Sequence, residues 1–436
     1  MALARKKTKG NLLLDDYCLA GTPFRVADIY NPDSPGVYVR EMYGPQLAEF
    51  HRKFFLLPLD REQRQTIGAV WSSHTGDSEG RGFGKSMLMC EESRLVNRDF
   101  GAALLASFDI EEEDIAANPF IAGYCGFAEN MNIKTFPAAL LEGVVFALRC
   151  DHGGHNVHRE LRRRAAAQLG AEAPYEAEAI KKALVQALSG YKNLPIQLTQ
   201  RQVAGFLDAL CHDDTEALAD YVRERIGPRI KASLGFHFVH IFNAFAKIAG
   251  IVHVVFFVDQ VENFAKWARH QGRDVRILRE SMCQTSPTAD MASFVFQMHM
   301  NAQRELEPIW HAEHLPSLDY AVALNQPRVV DLKGLSTANH ARRLTADLLA
   351  AKRPAGRTPP TPLHPFNEDV VEFVRRGVDG NPRRFLETLN TILTQAELEG
   401  EKTIDLTFVQ PFIDVEAGQF RITEDQEDDD VSNPVQ

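Results

Sequence analysis

The stretch "TIGAVWSSHTGDSEGRGFGKSMLMCEESRLV", Thr66–Val96, decides how the rest of the chain is read. Its first part, "TIGAVWSS", is an apolar run of strand length, and its last part, "KSMLMCEESRLV", has the pattern of a helix. Between them lies a glycine-rich loop that ends in Gly84-Lys85-Ser86. A loop of this kind, set between a buried strand and a helix, suits phosphate. Glycines expose bare backbone N–H groups, a lysine reaches the outer phosphates, and a hydroxyl meets Mg2+. Against the pattern G-x-x-x-x-G-K-[ST], Glu79 to Ser86 departs only at the first position, where Glu79 stands for glycine. Gly80 is placed to take over that turn role, and Arg81 to offset the Glu79 charge. The residues expected around the phosphates are Gly80, Arg81, Gly82, Phe83, Gly84, Lys85, Ser86 and Met87.

A nucleotide site also needs a carboxylate at the end of a neighbouring buried strand, with a water-positioning group beside it. "IVHVVFFVDQVENF", Ile251–Phe264, offers Asp259, then Gln260 and Glu262. An acid closing so apolar a strand costs several kcal/mol if it is buried alone, so a metal-linked or hydrogen-bonded role is expected. Ser86 and Asp259 are the expected Mg2+ contacts.

Strand and helix patterns alternate outward from this centre. Residues 1–60 read as an N-terminal extension, in which "GPQLAEFHRKFFLL" is a helix packing Leu47, Phe50, Phe54 and Leu57. The core spans residues 61–333. "FIAGYCGFA" is its second strand, followed by the helix "TFPAALLEGVVFALRC". Residues 151–230 are charged, alanine-rich and helical, an insertion without strands. In "RIKASLGFHFVHIFNAFAKIAG", Leu234, Phe238, Ile241, Phe245 and Ile248 form one core-facing stripe. The third strand ends at Asp259, the fourth is "ASFVFQMHMNA" and a short fifth is "RVVDL". A helical lid is expected over 334–412, with a proline-rich break before one last helical segment, and an acidic tail over 413–436. The alternation predicts an α/β fold: a three-layer αβα nucleotide-triphosphatase core with a parallel sheet, a helical insertion and a C-terminal helical lid.

The ordered set of Gly82-Phe83-Gly84-Lys85-Ser86, "FFVDQVE", "FVFQMHMNA" and "GNPRRFLETL" resembles AAA+ P-loop ATPases, most closely their Cdc6/Orc-like and TniB/TnsC-like branch. The likeness covers roughly residues 60–150 and 235–400. It implies ATP and Mg2+ as ligands, an oligomer, and work with partner proteins in a DNA transaction such as replication loading, transposition or defence against mobile DNA. It assigns the polar sensor after the fourth strand to Asn301, with His299 as second choice. It assigns the lid arginine that senses the γ-phosphate to Arg383, in the helix start Gly380-Asn381-Pro382-Arg383. Arg304 and Arg328 are candidates for an arginine supplied to a neighbouring subunit. Many relatives carry Asp-Glu where this chain has Asp259-Gln260. Glutamine orients water but is a poor base, so either Glu262 takes the role or hydrolysis is slow. The rival readings are a nucleotide-bound signalling or scaffold protein with little turnover, and a phosphotransferase on the same loop.

The composition narrows the remaining choices. With 436 residues, 44% hydrophobic and 25% charged, the chain is expected to be globular, soluble and cytoplasmic, with no apolar segment of membrane-spanning length and no secretory leader. Its six cysteines are scattered without a Cys-x-x-Cys pair and read as reduced thiols. A formal charge of −11 excludes a surface that coats nucleic acid as a whole. Local contact is left to the helical patch Arg159, Arg162, Arg163 and Arg164, or to the basic arm Arg5, Lys6, Lys7 and Lys9. His152, His155 and His158 read as a loop and not as a zinc site, since no cysteine or acid stands at ligand spacing. Glu424–Asp430 concentrates six acids in a self-repelling tail.

Overall fold

The computed structural model describes residues 12–26, 37–60, 67–72, 80–126, 136–189, 200–226, 232–261, 276, 291–312 and 329–413. The chain divides into two compact units, Tyr43–Lys333 and a second made of Met1–Met42 with Gly334–Gln436.

The first unit is α/β. Its sheet has five parallel strands, β1 (Ile67–Trp71), β2 (Phe120–Gly126), β3 (His253–Asp259), β4 (Ala292–Gln297) and β5 (Val329–Asp331). They lie side by side in the order β2-β3-β4-β1-β5. A parallel sheet is covered on both faces, which is why its strands are apolar runs and do not alternate. "HVVFFVD" in β3 is buried at every position.

Helices α1 (Pro45–His51), α2 (Lys85–Asn97), α3 (Phe136–Arg149), α4 (Val157–Gln168), α5 (Glu176–Ser189), α6 (Gln200–Cys211), α7 (Ala232–Ile248) and α8 (Met300–Ala312) connect and cover these strands. Pleating turns Ile67, Ile121, Phe256, Phe294 and Phe296 to one face, into a core shared with α3 and α7. A side chain at Gly123 would meet the Gly143 carbonyl at 2.6 Å, so β2 and α3 approach closely only because glycine is there. The opposite face carries Phe120 and Phe257. Phe50 stacks on Phe257 at 5.3 Å, and Phe55 packs against Phe120 at 5.4 Å. Leu47 and Leu57 are only half-buried; after α1 the helix widens over Arg52–Leu56, which brings Phe55 to the sheet.

From β1 the chain crosses to β2 at the far edge, then steps back through β3 and β4 and past β1 to β5. Right-handed crossovers in opposite directions place their helices on opposite faces, so the reversal falls between β1 and β4. β2 is an edge strand, and an unpaired edge is a hazard. The Asn97 amide closes it: Nδ2 donates to the Ala122 carbonyl at 2.7 Å, and the Ala122 N–H donates to Oδ1 at 2.8 Å.

The insertion is helical with one correction. Asp151–His152 pairs antiparallel with His155–Asn156, and His158 lies within α4, so the three histidines do not share a loop. Gly153 and Gly154, with φ of 62° and 91°, permit the tight turn. His152 stacks on Phe100 at 4.2 Å, and His158 bridges Thr215 and the Leu210 carbonyl at 3.0 and 2.8 Å. Burial holds the His158 pKa below its usual value. On α7, Phe238, Ile241 and Phe245 are buried and Ile248 is half-buried; the Leu234 side chain lies outside the described residues. Among the described cysteines, burial pushes the Cys150 thiol up to about 11 and Cys211 up to about 12. No helix among the described residues is long and apolar enough to cross a membrane.

The second unit is helical where described. It contains α9 (Ala338–Ala351), α10 (Glu368–Gly377) and α11 (Pro382–Glu399). The single final helical segment expected from sequence is broken after α10, because Asp379 and Gly380 turn to φ of 53° and 64°. Asn381 then caps the restart, accepting from the Arg383 and Arg384 N–H groups at 3.1 and 3.2 Å, with Pro382 in the first turn.

Replacing Asn97 with alanine strands a buried N–H and a buried carbonyl at the sheet edge. Urea denaturation of Asn97→Ala should show a loss of about 2–4 kcal/mol. A pH effect arises on α7, where burial lowers His237 from 6.5 to about 4. A base depressed on folding stabilises fully above its unfolded pKa and loses that stability as pH falls towards the folded value. Between about pH 6.5 and 4 wild type should therefore weaken, and His237→Leu should weaken less over the same range in denaturant titrations.

Candidate functional site

The glycine loop returns to the sheet at Gly80. Its φ is 80°, and a side chain there would meet the carbonyl of Ser72, the residue next after β1, at 2.7 Å. Gly82 and Gly84 have φ of 80° and 77°, while Arg81 and Phe83 between them keep negative φ. Left-handed glycines in alternation with residues of negative φ are the backbone pattern on which an anion nest is built. Phe83 is buried and anchors the loop. Gly84 is also the N-cap of α2 and supplies no side-chain acceptor, whereas α4, α9, α10 and α11 are capped by Asn156, Thr337, Asn367 and Asn381. The first N–H groups of α2 thus add a positive helix end to the nest. Lys85 is 3% exposed, and its ammonium donates to the Gly80 carbonyl. Met87 is buried one turn into the helix.

Ser86 lies in the first turn of α2, where it meets the ends of the strands. Its Oγ is 3.2 Å from the amide of Gln297, the last residue of β4. With its nitrogen turned inward, that amide donates to both Asp259 and Ser86. Asp259 closes β3 at 3% exposure and accepts from the Tyr124 hydroxyl on β2. The Gln260 N–H donates to its other oxygen, Oδ1, at 2.8 Å. The row Tyr124, Asp259, Gln297 and Ser86 therefore runs across the carboxyl ends of β2, β3 and β4 to the start of α2. The period-two alternation of the strands places all three strand residues on one face. Gln260 holds φ at 53°, a left-handed conformation costing a side-chain-bearing residue about 1–2 kcal/mol.

A further layer fixes this loop from behind. Tyr43 is buried, and its hydroxyl donates to the Gly84 carbonyl at 2.9 Å. Burial, with the charges of Glu92 and Glu91, raises the Tyr43 pKa, so the phenol keeps its proton. His51 of α1 meets Glu92 of α2 at 2.7 Å, both side chains almost fully buried. This pair ties the aromatic segment before β1 to the helix that carries Lys85 and Ser86.

Other residues singled out from sequence lie elsewhere. Glu79, Glu262, Arg328, the basic arm, the acidic tail and Cys283 are outside the described residues, as is the Asn301 side chain. Asn301 belongs to the first turn of α8 and not to the strand, because β4 ends at Gln297. His299 is buried between them, and Arg304 is exposed on α8. Arg383 belongs to the other unit and pairs with Glu387 at 2.9 Å. The four arginines of α4 are divided: Arg162 is largely buried, while Arg159 and Arg163 stay exposed beside acids. Arg162 donates to the Cys211 carbonyl at 2.7 Å and meets Asp213 at 3.4 Å, and Arg164 lies over the Phe100 ring at 5.0 Å. Arg163 pairs with Glu160 at 2.6 Å and Arg159 with Asp213 at 3.8 Å.

Tyr43, Tyr124 and Gln297 were missed by sequence reasoning. The strand pattern of "FIAGYCG" and "ASFVFQ" holds the one usable signal, a polar group near the end of each of the two strands beside β3. Among the described residues, no group of three or more His, Cys, Asp or Glu is placed to hold a metal ion. A hydroxyl and a single carboxylate beside an anion nest do fit Mg2+ that arrives with phosphates, since this ion is commonly held by one or two protein oxygens and by its substrate.

No protein-family model matches the chain, and no curated protein or solved structure matches it, so a functional reading rests on the geometry of the site and on its motifs. Gly80→Ala should fail in two ways: about 1–2 kcal/mol from the left-handed backbone, and displacement of the loop from Ser72. Gly153→Ala, at φ of 62° with nothing within 4 Å, isolates the first effect. Thermal unfolding should show both variants less stable, with the larger loss in Gly80→Ala.

Proposed function

We propose that the Tyr43–Lys333 unit binds a nucleoside triphosphate with Mg2+, ATP by the resemblance of its motifs, and works as a slow AAA+-type ATPase switch. The observation that carries this reading is the nest of Gly80, Gly82 and Gly84 at the uncapped start of α2, beside the reversal between β1 and β4, with Asp259 on β3 reached through Gln297 and Ser86. Nest and helix N–H groups suit the phosphate oxygens, and Lys85 suits the outer phosphates once it leaves the Gly80 carbonyl. Ser86 and Asp259 would hold Mg2+, which supplies charge neutralisation at the transferring phosphoryl group. Gln297 stands between these two residues, whereas the family resemblance puts the polar sensor further along, at Asn301. An arginine supplied in trans, an oligomer and a DNA-related partner remain part of the proposal through the resemblance.

A second reading, in which nucleotide is held with little turnover, is favoured by Gln260. The residue after the acid is not a base, and its left-handed backbone spends its N–H on Asp259. The two readings share binding and differ in turnover.

Calorimetric titration of ATP with Mg2+ tests the shared part. Lys85→Ala should weaken ATP by about 10- to 100-fold, the worth of one charged hydrogen bond. Asp259→Asn should abolish the advantage that Mg2+ gives over EDTA. Phosphate release decides the rest: Lys85-dependent turnover lost in Glu262→Gln supports the ATPase, and tight binding without release supports the switch that only holds nucleotide. Wild type with no ATP affinity overturns both.

A further inference from the structure

We propose that Tyr124 is the positioning residue of the metal site, fixing the Asp259 carboxylate in the one orientation that serves Mg2+. The inference rests on the nucleotide reading above and names a residue that the loop and strand motifs do not contain.

A terminal sp3–sp2 torsion is broad, so an aspartate carboxylate at the end of a strand has no preferred rotation of its own. Its direction must come from hydrogen bonds. Among the described residues, the Tyr124 hydroxyl reaches Oδ2 of Asp259, the Gln260 N–H reaches Oδ1, and the Gln297 amide also donates to the carboxylate. Each of these donors takes up a lone-pair direction of the carboxylate and so fixes how its oxygens are turned. The other two donors are less firmly placed than Tyr124. Gln297 is shared with Ser86, the other expected metal contact, and must adjust when a cation arrives between them. Gln260 sits on a strained backbone at φ of 53°.

Tyr124 is the rigid donor. It lies within β2, opposite Phe257 in the register, and is 6% exposed. Its ring packs edge-on against Phe146 at 5.7 Å, and Arg94 of α2 stacks over that same Phe146 at 5.5 Å. The Tyr124 side chain is therefore held by the sheet and by Phe146 of α3, which Arg94 of α2 covers. It does not move with the loop, and it donates to the carboxylate oxygen that the Gln260 N–H does not use. Groups of this kind, which touch a ligand and not the metal, orient the ligand and raise its affinity. The residue after Asp259 is Gln260 and not a second acid, and a phenol on the next strand gives the one acid its direction.

Tyr124→Phe removes one oxygen and keeps the ring. The test is Mn2+ binding to the protein–ATP complex by electron paramagnetic resonance, alongside ATP affinity in EDTA and thermal unfolding. The expected result is Mn2+ affinity weakened by about 10- to 100-fold, with ATP affinity in EDTA and the melting temperature close to wild type. Tyr124→Phe that keeps wild-type Mn2+ affinity overturns the proposal. So does a variant that loses Mn2+ affinity, metal-free ATP affinity and melting temperature together, since a loosened fold moves all three. Wild type that binds neither ATP nor Mn2+ with ATP overturns the nucleotide reading itself and the inference with it.

Discussion

A carboxylate that ends a buried parallel strand cannot be left without partners, and the site in this protein is arranged around that constraint. Asp259 closes a strand buried at every position. Isolated there, its charge would cost far more than any single side-chain contact contributes. Three neighbouring elements answer it: β2 with Tyr124, β4 with Gln297, and the chain's own next N–H. Through Gln297 the network reaches Ser86 and so the helix that succeeds the glycine loop. The order of strands makes this economical, because β2, β3 and β4 are consecutive in space as well as in sequence and end at the same level.

The glycine loop answers a different constraint. Where the chain enters the turn before α2, Gly80 leaves no room for a side chain because it sits against the Ser72 carbonyl. Left-handed residues then alternate with ordinary ones to the first residue of the helix. The shape is expensive for any other residue type and is the backbone pattern on which an anion nest is built. Two buried polar contacts stabilise it, Tyr43 on the Gly84 carbonyl and His51 on Glu92. Both come from the segment before β1, whose phenylalanines are stacked on the sheet. That segment is a structural support for the loop, a role its sequence position does not advertise.

Much of the strand pattern was legible because a covered parallel strand is written as an unbroken apolar run, and β1, β2, β3, β4 and β5 all are. The glycine loop and Asp259 were legible because each is a local departure from such a run. Tyr124 and Gln297 were not, because their partners are distant along the chain: Tyr124 is 135 residues from Asp259, and Gln297 is 211 from Ser86. Only strand order and register join them. The arginines of α4 illustrate the opposite failure. Read locally they are one basic patch, but Arg162 turns in to the Cys211 carbonyl and Arg164 lies over Phe100, while Arg159 and Arg163 stay exposed beside Asp213 and Glu160. Sequence shows which groups are charged and cannot show how many are already matched. The end of β4 is hidden for a related reason. In "FVFQMHMNA" methionines continue the alternation past Gln297, and only the end of pairing to β1 and β3 closes the strand there.

By itself the sequence determined the alternation of strands and helices, the helical insertion, the glycines that free the loop backbone and the acid on the third strand, all of which come from local spacing and side-chain volume. Tertiary structure alone decided that β1 lies between β4 and β5, and that the acid faces a phenol and an amide from its neighbours. It also decided that Gly80 closes on Ser72 and that Gln260 is held in a left-handed turn. These depend on which strands become neighbours and on the pleat that sends alternate residues to one face, and neither is a property of any short stretch of chain.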